Sequence, residues 1–151
     1  MKLLAPFVLV VSALFVSACS KSHDHASHGG HVHKAPHGGV LVEAGEHMYN
    51  LELLRDTATG TLTAWILDGH AEDFVRIAAP SIEVVTISGG QRRPLSLKAV
   101  ANAATGETVG NTSQFQAQAD WLKSGGEMAG TIEAVEIKGT QFKTLGFHLA
   151  K

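Results

Sequence analysis

The chain has 151 residues, with 12 Lys and Arg against 14 Asp and Glu, nine histidines and one cysteine. A formal charge of −2 with no basic patch argues against a nucleic-acid partner. A lone cysteine excludes an intrachain disulfide, so any exported domain must stand on its apolar core alone.

The first segment, residues 1–18, has the layout of a secretory signal. Lys2 precedes an apolar run from Leu3 to Val16 broken only by Pro6 and Ser12, and small residues follow. The run is shorter than the roughly 20 residues of a membrane-spanning helix. Residues 19–36 are mostly Ser, His, Gly, Ala and Lys, with Val32 the only large apolar side chain. Such a segment buries too little to offset its ordering entropy, and a flexible tether is expected.

From residue 37 to 151 short alternating or β-branched segments are separated by turn residues. HGGVLVEAGEHMYNLELLRD reads as a hairpin about Ala44-Gly45, and TATG as the turn into TLTAWILD. DGHAED reads as a solvated loop and PSIEVVTIS as a strand starting at or just after Pro80. GGQRRP turns into LSLKAVAN, and ATGETVGN is a loop. SQFQAQA alternates, with Phe115, Ala117 and Ala119 inward. SGGE leads into MAGTIEAVEIKG, and TQFKTLGFHLA closes the domain. A single helical turn is expected near Asp120 to Lys123. Eight or so short strands predict an all-β domain, an antiparallel β-sandwich (immunoglobulin-like or similar) in preference to a barrel. Trp65 and Trp121 are expected in its core, and Arg92 and Arg93 in a solvated turn.

With Ala44-Gly45 as a two-residue turn, Val40, Val42, Tyr49, Leu51 and Leu53 share the core face. His37 then faces Glu52 on the outer side. That pair is either the start of a site or an ordinary cross-strand contact. His47 near the turn is expected to be partly buried, and His148 to face outward.

Six of the nine histidines, His23, His25, His28, His31, His33 and His37, fall within fifteen residues. Imidazole suits Zn(II), Cu(II) and Ni(II). Two H-x-H pairs in a flexible segment allow two to four rings to close on one ion in several registers. The other reading is a hydrophilic or pH-responsive spacer. Glu52 and His47 are additional metal candidates. No G-x-S-x-G, P-loop or H-E-x-x-H motif is present, and no carboxylate pair stands out, so no enzyme is expected.

VSAC, Val16 to Cys19, resembles the lipobox of bacterial lipoproteins. The resemblance implies cleavage before Cys19, a diacylglyceryl thioether on its sulfur and an acylated new N-terminus. Ser20 after the cysteine, rather than Asp, implies the outer membrane in a cell that has one. HGGVLVEAGEHMYNLEL, His37 to Leu53, resembles the opening of periplasmic domains linked to heavy-metal efflux. It implies a role in metal handling and an efflux partner. The expectation is a lipid-anchored envelope protein that binds or buffers a divalent transition metal. The alternative is a non-catalytic envelope structural or interaction module whose histidines are only a spacer.

Overall fold

The structure, a computed structural model, describes residues 33–150. The expected signal segment, the expected lipidation site Cys19, and His23, His25, His28 and His31 lie outside the described residues. Eight strands form: β1 (Val40–Ala44), β2 (Tyr49–Asp56), β3 (Thr61–Asp68), β4 (Ser81–Ser88), β5 (Gln91–Ala99), β6 (Gln114–Gln118), β7 (Met128–Ile137) and β8 (Thr140–Leu149). A 3-10 turn at Asp120–Lys123 joins β6 to β7. No helix among the described residues is long and apolar enough to cross a membrane.

The all-β, antiparallel expectation holds. The strands make one sheet in the order β1-β2-β3-β6-β5-β4-β7-β8. The sheet curls until β8 lies against β1, with no ladder between them. Period-2 alternation explains which face turns inward. In β4, Ile82, Val84 and Thr86 are buried while Glu83 and Ile87 are exposed. Phe115, Leu51, Leu53, Leu62, Ile66, Leu97 and Ile132 are wholly buried in one cluster. Each such large side chain contributes about 1.5–3 kcal/mol through removal from water. Gly130 in β7 carries no side chain because the Phe147 ring of β8 occupies the space.

Several details differ from the sequence-based expectations. The first turn is Gly45 to Met48, so Ala44 pairs with Tyr49 and Leu41 with Glu52. Glu43 Oε1 accepts the His47 N–H at 2.6 Å, and His47 takes a φ of +56°. This stabilises the longer turn. The shift is an even number of residues, so the core face is unchanged. His47 itself is exposed, not partly buried. Trp65 belongs to the outer face, because Leu62, Ala64 and Ile66 are its buried neighbours. Trp121 is half-buried at an end of the core, with the Arg93 guanidinium 5.1 Å from its ring centre. Arg93 is therefore packed, not merely solvated.

The loop after β3 is also more ordered than a solvated turn. The chain reverses at Gly69 and returns beside β3. Asp68 N–H donates to Asp73 O, and Val75 N–H to Ile66 O, each at 2.9 Å. Leu67 faces Phe74 in a bridge, and Ala71 is buried.

Candidate functional site

Leu41, Glu52, Trp65 and Gln114 form an outward-facing row across β1, β2, β3 and β6. An outward carboxylate should be wet. Glu52 is instead fully buried, because residues 33–39 fold over it. The His-Gly-Gly motif makes that possible. Gly38 has a φ of +78°, a left-handed turn that disfavours a Cβ. A Cβ on Gly39 would lie 2.5 Å from the Leu53 carbonyl oxygen and 2.9 Å from Glu52 Cγ. Only glycine lets the backbone approach so closely.

The arm thereby delivers three donors to one carboxylate. The N–H groups of His37 and Gly39 both donate to Glu52 Oε1 at 2.8 Å. His37 Nδ1 meets Oε2 at 2.8 Å. The His37 ring stacks on Trp65, with centroids 3.8 Å apart and planes 12° apart, and tilts against Phe74 at 5.7 Å. The ring's position and rotation are both set. A carboxylate can only accept, so the neutral ring carries its proton on Nδ1 and keeps the Nε2 lone pair. A second-sphere carboxylate on the far nitrogen is the usual way a metal-binding histidine is oriented.

His70 stands on the hairpin after β3, whose Phe74 meets the His37 ring. Its ring meets His33 edge-on, with centroids 5.7 Å apart. The hairpin is pinned from below. Buried Asn50 donates through Nδ2 to the carbonyls of Asp68 and Gly69 at 3.2 and 3.0 Å. Asp68 Oδ1 accepts the N–H groups of Glu72 and Asp73. Partial burial opposes ionisation of Asp68, but these N–H groups and His70 outweigh it and hold the carboxyl below its ordinary 3.8. A Cβ at Gly69 would run into the His47 carbonyl.

A second buried carboxylate lies in the loop between β5 and β6. Glu107 Oε1 accepts the Ser113 N–H at 2.8 Å and the Ser113 hydroxyl at 2.6 Å. Its Oε2 accepts the Thr105 hydroxyl at 2.7 Å, and Arg76 Nε stands 3.7 Å from Oε1. Burial opposes its ionisation. The Ser113 hydroxyl and N–H, the Thr105 hydroxyl and the Arg76 charge together prevail, and hold the carboxyl below its ordinary 4.5.

No protein-family model, curated protein or solved structure matches the chain. Its chemistry must be read from its own residues. The expected pairing of His37 with Glu52 occurs, and so does the expected outward exposure of His148. His33 joins the same region through His70. His47 does not: its ring pairs with Glu43 at 3.5 Å in the β1–β2 turn. Among the described residues no three His, Cys, Asp or Glu side chains converge closely enough to hold an ion. Trp65, Phe74 and His70 complete the surroundings and were not expected there. For Trp65 the signal was present, since TLTAWILD places it out of phase with Leu62, Ala64 and Ile66. For His70 and Phe74 a hairpin inside DGHAEDF left no periodic trace.

Proposed function

We propose that this is a lipid-anchored envelope protein that binds or buffers a divalent transition metal, Zn(II), Cu(II) or Ni(II), and passes it to an efflux component. The anchor is Cys19, as VSAC at the end of a signal-like segment suggests, and the periplasmic face of an outer membrane is the proposed location. The observation that carries the metal reading is the buried Glu52 carboxylate holding His37 Nδ1 at 2.8 Å. It leaves an oriented Nε2 at the foot of the histidine-rich segment. His23, His25, His28, His31 and His33 supply the remaining ligands, in several registers. No catalytic role is proposed. The same reading takes the curled sheet as a flattened sandwich of β1-β2-β3-β6 against β5-β4-β7-β8. Two thin joins support that division: β5 meets β6 through two residue pairs, and β1 meets β8 without a ladder.

Calorimetric titration of the full chain in detergent with ZnCl2, CuCl2 and NiCl2 tests this. Glu52→Gln is the sharpest variant. The Gln oxygen still accepts the two backbone N–H groups, but its amide donates to Nδ1 and moves the ring proton to Nε2. The fold survives and affinity falls about 10–100-fold, the usual cost of losing a second-sphere partner. Long-range nitrogen NMR reads the tautomer directly. Imidazole coordinates only when neutral, so occupancy also falls on acidification. Undiminished binding after all six histidines His23 to His37 are changed to Ala would withdraw the metal assignment of the segment and leave it a spacer, with binding moved to His47, His70 or His148. If the parent takes up none of the three metals, the interaction-module alternative stands. It draws on the outer face of β4 and β7, where half-exposed Ile87 pairs with Ala129. For the anchor, Cys19→Ala should abolish partition into the detergent phase.

A further inference from the structure

We infer that His33 and His70 form a metal-binding pair, which seats one divalent transition ion between the arm before β1 and the hairpin after β3. The inference rests on the metal reading above and adds to it a ligand outside the histidine-rich segment.

The first argument is distance. An imidazole nitrogen at about 2.0–2.1 Å from Zn(II) puts its ring centre about 3.2 Å from the ion, and two rings at a tetrahedral angle then have centres about 5.2 Å apart. The observed separation is 5.7 Å, with planes at 66°. Opening the nitrogen–metal–nitrogen angle to about 125°, with each ring turned to aim a nitrogen at the ion, closes that difference.

The second argument is availability. Imidazole–carboxylate pairs among the described residues belong to His37, His47 and His148. Asp68 and Glu72 each lie two residues from His70, and neither pairs with its ring; Asp68 Oδ1 is taken by the N–H groups of Glu72 and Asp73. Both rings thus keep nitrogen lone pairs for an ion.

The third argument is preorganisation. His70 stands on a hairpin fixed by Asn50, by Asp68 and by the left-handed Ala71, φ +59°. His33 lies four residues before His37, whose backbone and ring are both held by Glu52. Two rings already within 5.7 Å, one of them on a fixed hairpin, lose little freedom when an ion joins them. Two imidazoles leave the other positions of a four-coordinate ion to water. The bound ion would fasten His33 of the arm to the hairpin after β3.

The test uses the full chain in detergent and ZnCl2 as the probe, with calorimetry and imidazole NMR side by side. His33→Ala and His70→Ala should each weaken the tightest site at least tenfold. The double variant should be no weaker than either single, because all three lose the same chelate. In the parent, the His70 ring signals should shift with the first equivalent. His70 is exposed, so an unchanged melting curve in chelator will show that the variant is folded. If His70→Ala binds zinc like the parent while the six-histidine variant does not, the pair is wrong and the metal reading survives. If the parent takes up none of the three metals, that reading fails and the pair fails with it.

Discussion

Glu52 and Glu107 are both buried glutamates that hold irregular chain in place, and their partners set them apart. Glu107 is surrounded by two hydroxyls, an N–H and a permanent cation. Every one of those partners is used up in holding the loop. Glu52 has two backbone N–H groups and one imidazole. The imidazole is bifunctional: its second nitrogen is left over, and Glu52 fixes where it sits. A buried carboxylate is a structural pin when its partners are spent on it; where one of them has a further valence to offer, as His37 does, it suits the site proposed above.

The comparison breaks most sharply at Glu107. Glu107→Ala leaves the buried Ser113 N–H and hydroxyl without an acceptor and should destabilise the domain by about 2–4 kcal/mol, with zinc uptake unchanged. Chemical denaturation and calorimetry read the two effects separately. A loss of zinc binding in that variant would erase the distinction between pin and site. Next in size is Gly39→Ala. Its methyl collides with the Leu53 carbonyl and Glu52, so the arm must lift, at a cost of about 2 kcal/mol and with loss of the His37 contact. Gly38→Ala meets no neighbour and should lose only about 1 kcal/mol, from its left-handed φ. Equal effects at the two glycines would show that backbone conformation, not close approach, sets the arm.

The smallest effect is a slope. The folded-state pKa of Glu107 is lowered, so its stabilisation is fully present above about pH 4.5 and is lost as pH falls through the folded value. The thermal midpoint of the parent should decline there, and Glu107→Gln should flatten part of that decline. An identical acid profile in the two proteins would mean that the Glu107 network contributes no net stabilisation.

Most strands were legible because alternation reports one-sided burial. SIEVVTIS and SQFQAQA placed Ile82, Val84 and Phe115 inward, and the turn at Asp120 to Lys123 was visible. The first hairpin was half legible. Its core face followed from parity, but the pairing did not. Turn length depended on one side-chain bond, from Glu43 to the His47 N–H, which periodicity does not encode. The His37–Glu52 pair was anticipated through a register that does not form. The two residues meet because the arm doubles back at Gly38, not because they sit opposite each other. Burial of Glu52 was illegible for the same reason, since its cover is irregular chain. The His33–His70 contact joins segments 37 residues apart with no shared period.

The seam between β1 and β8 has a consequence for how the chain reaches this state. The inner face under Val42 is completed by Phe142, Phe147 and Leu149, about a hundred residues later in synthesis. Contacts so distant along the chain carry a large loop-closure entropy and fold slowly. A nascent chain that has not yet released Thr140 to Leu149 lacks the strand that closes the sheet. Its core is unfinished until that strand is added.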